Sequence, residues 1–215
     1  MDLLRYYIKT PNNEAKLIMV TDSDVKTFMS DQTKKEAFAK FIHDRLYYRY
    51  LNPFLYSSEN KIKKEAEIKE YDEYTLLFKN GFSLMANSCL LIETIEAFWR
   101  GWATTTGPNE IAFLKFFGRD KLFKEFATED IASKFYKHVR CGILHQGETT
   151  GGWTLTRESN FLVDKGAKII NANKFIETLK LSLTTYKTEL INADWNDEIW
   201  LNARKKMKAI LNNLK

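Results

Sequence analysis

The chain has 215 residues, of which 44% are hydrophobic and 28% charged, so it is long and apolar enough to bury its own core. This composition excludes an intrinsically disordered chain, and the most apolar stretch, Phe82 to Trp102, carries too many polar residues for a lipid-spanning helix. A formal net charge of +5 is compatible with a phosphate-bearing partner, although many basic proteins bind no nucleic acid.

Cysteine content and the amino-terminal residues bear on the cellular compartment. Cys89 and Cys141 form no CxxC pair, and the opening MDLLRYYIKT is too polar for the apolar core of a secretory signal. We therefore expect reduced thiols, a cytoplasmic location and no membrane partner.

The amino-terminal part mixes patterns before a helix becomes clear. Leu17 to Val20 is either a short strand or the lead-in to a helix near Ser23. A helix is predicted from Thr33, and it ends before Pro53 because proline disfavours helix at the preceding residue. Its apolar residues at helical spacing are Phe38, Phe41, Ile42, Leu46 and Leu51. The charged stretch from Glu59 to Glu70 predicts an exposed helix.

A long helix is predicted from Asp72 to Trp102. Its core face consists of Leu84, Leu91, Ile92, Ile95, Phe98, Trp99 and Trp102. The far side carries mostly small residues, namely Ala86, Leu90, Ala97 and Gly101. Small residues let another helix approach closely, so this helix is expected to be covered on two sides and to be central.

Shorter elements follow the long helix. After a loop at residues 104–109, helices are predicted from Glu110 to Phe117, where Gly118 ends the helix, and from Lys121 to Phe126. A longer helix is predicted over residues 128–146.

The last third changes character and then returns to helix. β-branched and aromatic runs split by turn residues predict a small β-hairpin within residues 148–170. Further helices are predicted from Asn173 and from Trp195. The predicted fold class is therefore all-α, a helical bundle with a minor β-hairpin. We expect a single domain over residues 1–215, in which residues 1–71 are the less regular part.

The segment most informative about function is KHVRCGILHQGE, residues 137–148. It places Arg140 before His145 with four residues between them, near the end of a predicted helix, with apolar neighbours and Gly147 just after the helix. The spacing alone is weak, because it occurs by chance in many proteins. Its setting makes Arg140 and His145 the candidate catalytic pair.

This segment resembles the signature of the HEPN superfamily, an arginine followed after four to six residues by a histidine. The stretch LLIETIEAFWRGW before it is similar to HEPN proteins too, so the resemblance covers residues 72–215. It implies a helical bundle, a homodimer with a composite active site, and ribonuclease activity in a toxin–antitoxin or antiviral defence setting. An antitoxin or a nucleotidyltransferase is an implied partner. Catalytic members commonly carry a polar residue, often asparagine, where this chain has Cys141.

The chemistry of RNA cleavage also suits these residue types. The 2′-hydroxyl of RNA is the nucleophile, so the enzyme supplies a base, an acid for the leaving 5′-oxygen, and cationic donors for the phosphate. Histidine titrates near neutrality, and arginine presents a fork of donors to phosphate oxygens. No cofactor is required, and the sequence lacks a carboxylate cluster of the two-metal type.

Helix geometry sets an expectation for the pair. Five residues correspond to about 140° around a helix, so Arg140 and His145 should not project side by side. They should flank a strip formed by Lys137, Cys141 and Leu144. The opposite side should carry Ile131, Ala132, Tyr136 and Val139. We therefore expect two copies of the chain to build one site, with the small-residue side of the long helix in their contact.

His145 should be protonated, because the helix C-terminus favours a positive charge. It would then act mainly as the acid or as a charged phosphate ligand. His138, Cys141 and His145 share one helical side, which is also compatible with a metal site, but no fourth ligand is evident and we predict no metal.

Two further sets of residues have open interpretations. Glu93 is either an orienting partner of Arg140 or His145 or an ordinary helix carboxylate, and Glu96 with Arg100 fits an i,i+4 surface pair. HDRLYYRY, residues 43–50, interleaves basic and aromatic residues, so its arginines, Arg45 and Arg49, are candidate RNA contacts together with Lys137. Helical spacing favours a core-and-rim helix for HDRLYYRY instead.

Three functions are compatible with the sequence. The leading one is a metal-independent endoribonuclease that leaves a 2′,3′-cyclic phosphate. The second is a non-catalytic HEPN-like module that binds RNA, a nucleotide or a protein, and Cys141 favours it somewhat. The third is a helical interaction domain without any role in nucleic-acid binding.

Overall fold

The computed structural model of the protein describes residues 1–12, 14–59, 81–105, 107 and 109–214. This part of the chain is mainly helical with a few short strands, which confirms the predicted fold class. All of the predicted charged helix except Glu59, and residues 72–80 of the predicted long helix, lie outside the described residues. No helix in the described ranges combines the length and the apolar character needed to cross a membrane.

The chain divides into two compact units. The first unit comprises Met1–Arg49, Ala97–Thr104 and Leu183–Lys215. The second unit comprises Tyr50–Glu96 and Thr105–Ser182. The expectation of a single HEPN-like domain over residues 1–215 stays a prediction.

The first unit begins with a β-hairpin. Strand β1 (Asp2–Lys9) pairs antiparallel with β2 (Ala15–Thr21). Of the two interpretations of Leu17 to Val20, the strand is therefore the correct one. Thr21 then caps helix α1 (Asp22–Ser30) through a reciprocal hydrogen-bond pair with Asp24, which satisfies exposed donors at the start of the helix.

Helix α2 (Lys35–Leu46) confirms the helix predicted from Thr33, but its end differs from the prediction. The chain continues through a π-helical segment (Tyr47–Leu51) into α3 (Asn52–Glu59). Pro53 is thus the second residue of α3, and the irregular π-helical turn directly precedes the position where the missing proline N–H interrupts the helical hydrogen bonds.

The core of the first unit joins α2 to the carboxy-terminal helix, α9 (Glu198–Asn212). Phe38 and Trp200 are fully buried, with ring centroids 5.5 Å apart. The Trp200 indole N–H donates to the carbonyl of Leu190 at 2.8 Å, so the buried ring satisfies its polar atom.

Helix α4 (Gly81–Arg100) contains the predicted core face except Trp102, because the helix ends two residues before it, and Leu91 and Ile92 in this face are completely buried. The small-residue side is covered at its carboxy-terminal end, where Ala97 is 1% exposed. A Cβ on Gly101 would lie 2.7 Å from Oδ1 of Asn202 in α9. The prediction that these small residues face a second copy is therefore wrong at Ala97 and Gly101, because the chain's own residues cover them.

In the second unit, α4 is followed by short helical elements around an aromatic core. They are α5 (Asn109–Arg119), a 3-10 segment (Lys121–Phe126), α6 (Glu129–Phe135), a π-helical segment (Tyr136–Arg140) and α7 (Cys141–Gln146). The fully buried phenylalanines are Phe113, Phe116, Phe117, Phe123, Phe126, Phe135 and Phe175. Helix α5 does not end at Gly118 as predicted but continues to Arg119.

A three-stranded sheet replaces the simple hairpin predicted for residues 148–170. Strands β3 (Thr154–Thr156), β4 (Val163–Asp164) and β5 (Ile169–Asn171) lie in the order β3–β5–β4. The antiparallel pair of β4 and β5 fits the prediction, whereas β3 pairs parallel to β5 and was not expected. Helix α8 (Ala172–Asn192) follows β5 directly, which confirms the helix predicted from Asn173.

Candidate active site around Arg140

Arg140 lies at the end of a π-helical segment and is 9% exposed. The Cys141 N–H donates to the carbonyl of Tyr136, five residues back, instead of the usual four. Such π-helical turns are rare and frequently occur at functional sites. The irregular turn thus marks the same arginine that the sequence motif indicates.

Glu93 on α4 holds the Arg140 guanidinium, as one interpretation of the sequence anticipated. Arg140 Nε donates to Glu93 Oε1 at 2.9 Å, and the two side chains are 11% and 9% exposed. Thr105 Oγ1 donates to the other carboxylate oxygen at 3.3 Å. Burial alone would lower the pKa of Arg140, but the hydrogen bond and the charge of Glu93 outweigh it and hold that pKa above its ordinary value.

His145 lies exposed at the end of α7, and its ring contacts the same guanidinium. Arg140 NH1 lies 3.2 Å from His145 Nε2. A guanidinium has donors only, so in this contact Nε2 is placed as the acceptor. The protonated state of His145 that the helix terminus favours stays a prediction.

The prediction that the Arg140 and His145 side chains do not project side by side is wrong, because they are in contact. The 140° separation of their Cα positions is bridged because the long arginine side chain reaches across the helix surface. Side chains of helical residues also lean toward the amino-terminal end, which brings the His145 ring back toward Arg140. A single copy of the chain thus assembles both residues of the motif.

Tyr136 and Cys141 complete the surroundings of the guanidinium. Arg140 Cζ lies 5.6 Å from the centroid of the Tyr136 ring. Burial raises the pKa of Tyr136, and its hydrogen bond with the Cys141 thiol raises it further, so the phenol keeps its proton at neutral pH. Tyr136 was predicted on the opposite side of the helix, but the π-helical turn aligns it with Cys141.

Two residues near the motif belong to other surroundings. His138 Nδ1 lies 3.0 Å from Thr150 Oγ1, and its ring packs against Gly151, so His138 contacts the loop after α7. Burial lowers the pKa of His138, and the charge of Lys137 adds to the effect. Lys137 is exposed. Within the described ranges, no three His, Cys, Asp or Glu side chains are placed to hold a metal ion.

Two other predicted surface residues are buried. Glu96 is completely buried and binds the Arg119 guanidinium, so the predicted surface role for Glu96 is wrong. Arg45 is 7% exposed, and its guanidinium donates to the carbonyl of Leu3. Arg45 therefore does not lie on an exposed basic face, whereas Arg49 is exposed.

Three residues of the site escaped the sequence analysis. Tyr136 and Thr105 contact the Arg140–Glu93 pair through side chains whose positions depend on a π-helical turn and on a loop. Gly142 carried the clearest signal, since a glycine inside a helix needs a reason. A Cβ there would lie 2.5 Å from the carbonyl oxygen of Glu148, so Gly142 lets the following loop cross α7 closely.

The arrangement presents an arginine anchored on a buried carboxylate and an imidazole that faces solvent. Such a pair can bind an anion and exchange a proton at neighbouring positions. No protein-family model, curated protein or solved structure matches the chain.

Proposed function

We propose that the protein is a metal-independent endoribonuclease of the HEPN type, with Arg140 and His145 as catalytic residues and Glu93 as the positioning residue. The observation that supports this most is the continuous chain of contacts from buried Glu93 through Arg140 to exposed His145. It combines an oriented phosphate ligand with a titratable group at the surface, which is what RNA cleavage requires.

Binding of a phosphodiester would change the partner of Arg140. The NH1 group that donates to His145 in the free protein can donate to a non-bridging phosphate oxygen instead, while Nε stays on Glu93. This exchange releases the lone pair of His145 Nε2. A neutral imidazole with a free lone pair can accept the proton of the 2′-hydroxyl.

The proposed reaction forms one bond and breaks one. The 2′-oxygen attacks phosphorus as its proton passes to His145, the bond from phosphorus to the 5′-oxygen breaks, and a proton is delivered to the leaving oxygen. The products are a 2′,3′-cyclic phosphate and a 5′-hydroxyl. Arg140 stabilises the charge that develops on the non-bridging oxygens.

The leaving oxygen needs an acid, and one copy of the motif contributes a single histidine. A homodimer with a composite site would supply a second His145, in the protonated form that the helix terminus favours. Following the HEPN resemblance, we place this activity in the cytoplasm, in a toxin or phage-defence setting, with an antitoxin or nucleotidyltransferase as partner. RNA is the proposed substrate in each case.

The test compares two neighbouring residues at the end of α7. Purified wild type should cut single-stranded RNA, and mass spectrometry should find 2′,3′-cyclic phosphate ends. His145→Ala should lose at least about a hundredfold in rate, whereas Gln146→Ala, at the adjacent exposed position, should keep its rate. DNA of the same sequence should remain uncut because it lacks the nucleophile.

Two results would contradict the ribonuclease proposal. Full cleavage by His145→Ala would exclude His145 as a catalytic residue. Binding of RNA without any cleavage by the wild type would instead indicate the non-catalytic binding module that Cys141 favours.

A further inference from the structure

A small cavity in the first unit is rich in arginine. Its volume is about 190 Å³, and the residues that line it are Leu3, Leu4, Arg5, Arg45, Tyr48 and Arg49. These six residues carry three positive charges and no negative one. The motif HDRLYYRY contributes Arg45, Tyr48 and Arg49, whereas Arg5 comes from strand β1.

An irregularity in β1 shapes one wall of this cavity. Asp2 pairs with Thr21 and Leu4 with Val20, so Leu3 is an extra residue, as in a β-bulge. Leu3 and Leu4 are consequently both buried, although neighbouring strand residues normally face opposite sides. The carbonyl of Leu3 accepts a hydrogen bond from the Arg45 guanidinium, which fixes this buried cation in the lining.

A second irregularity shapes the other wall. Tyr48 and Arg49 belong to the π-helical segment that follows α2. The Tyr48 ring stacks on Tyr6 with centroids 3.9 Å apart, so its position is held by an aromatic neighbour. Arg5 and Arg49 are exposed, and they place their charges beside the buried Arg45.

Asp44, the residue before Arg45, has hydrogen-bond partners of its own. It accepts hydrogen bonds from Tyr6 and Lys40, and His43 Nδ1 lies 3.0 Å from its second oxygen. Asp44 is not among the residues that line the cavity. Lys40 is thus a charged partner of Asp44.

We propose that this cavity binds one phosphate group of a nucleotide, either free or within an RNA strand. Arginine forks match phosphate oxygens, and three of them line the same small space. Pockets that enclose whole ligands typically have about 300–1,000 Å³, so a smaller cavity suits a single phosphate whose nucleoside extends outside. The strand form rests on the proposed ribonuclease function, whereas the free form does not.

The experiment titrates the full chain with three probes: inorganic phosphate, adenosine 5′-monophosphate and a 2′-O-methyl oligoribonucleotide, which lacks the nucleophile. Arg5→Gln and Arg49→Gln are the test variants, because both positions are exposed. Arg157→Gln, at an exposed position of the second unit, removes the same charge and serves as the control.

Each test variant should bind the probes about tenfold more weakly than the wild type, since each loses a charge-assisted hydrogen bond, whereas the control should not. Weakening for all three probes supports the site with a free nucleotide as ligand. Weakening for the oligonucleotide alone supports it with a strand as ligand. If the ligand is an RNA strand, each substitution should also make the plot of log K for oligonucleotide binding against log salt concentration less steep. The expected change in slope is about 0.7.

Unchanged binding in both test variants, or an equal loss in Arg157→Gln, would overturn the proposed phosphate site. RNA cleavage is measured on the same samples, so the two proposals fail separately. A wild type that binds phosphate through Arg5 and Arg49 but never cuts RNA would refute the ribonuclease and leave the phosphate site standing.

Discussion

Two arginine–glutamate pairs use the same helix, and only one of them belongs to the candidate active site. Glu93 and Glu96 lie three residues apart on α4, where they bind Arg140 and Arg119 respectively. Glu96 is completely buried, and its arginine lies over the ring of Phe116 at 5.8 Å. This second pair therefore joins α4 to α5 through a buried carboxylate and a partly exposed guanidinium.

The pair of Glu93 and Arg140 extends to an exposed side chain. Arg140 reaches onward to the exposed imidazole of His145, so a buried carboxylate is connected to a group that solvent and substrate can contact. The comparison shows that a buried ion pair is not by itself a sign of function. The functional signal is the extension of the pair to a titratable side chain at the surface.

The largest expected contrast is in activity. Arg140→Gln should reduce RNA cleavage about a thousandfold, because the charge that stabilises the transition state is lost, whereas Arg119→Gln should keep cleavage within about threefold. Rates are measured on folded samples well below their melting temperatures. Comparable losses in the two variants would show that both pairs act through stability, and Arg140→Lys should remain impaired because lysine lacks the fork.

For stability, the larger effect is expected at Glu96, the carboxylate outside the candidate active site. Glu96→Ala should cost about 4 kcal/mol and Glu93→Ala about 3 kcal/mol, because each removes the carboxylate of an ion pair and Glu96 is the more deeply buried carboxylate. Urea unfolding of both variants measures the difference. A larger loss in Glu93→Ala would contradict the assignment of Glu96 as the mainly structural residue.

A smaller effect is expected from the loop that crosses the site helix. Gly142→Ala should cost about 2 kcal/mol and reduce cleavage, because the new Cβ would clash with the Glu148 carbonyl. Gly147→Ala should cost about 1 kcal/mol, from its left-handed backbone with φ of 74° alone, since no atom would contact its Cβ. Thermal unfolding distinguishes these costs, and equal values would argue against the close crossing.

The smallest effect is expected at Asp44, a carboxylate outside both pairs, and it concerns the pH dependence of stability. Burial would raise the pKa of Asp44, but hydrogen bonds from His43, Lys40 and Tyr6 outweigh it and hold that pKa at about 2. Its usual value is 3.8, so the native state favours the charged form. The resulting stability is present above about pH 4 and is lost as the pH falls toward 2.

Asp44→Asn should therefore remove about 1 kcal/mol of pH-dependent stability between pH 4 and pH 2. Urea unfolding across that range measures the slope in wild type and variant. An unchanged slope would show that Asp44 does not titrate with the fold.

Much of the helical architecture could be predicted because its signal is local. Leu91 and Ile92 are buried as their spacing indicated, and Gly147 adopts the left-handed conformation expected after a helix. The parallel pairing of β3 and β5 could not be predicted, since it joins two short segments that carry no local sign of their partner. The burial of Glu96 likewise depends on an arginine 23 residues away.

The sequence by itself determined a mainly helical fold and singled out Arg140, His145 and Glu93, because helical periodicity and side-chain chemistry can be read along the chain. Only the tertiary structure decided that these three side chains meet. The π-helical turn at Tyr136–Arg140 and the contact of Arg140 with Glu93 on α4 set their positions, and the second joins residues far apart in the sequence. Helical angles alone separate Arg140 from His145, whereas the folded chain brings their side chains into hydrogen-bond contact.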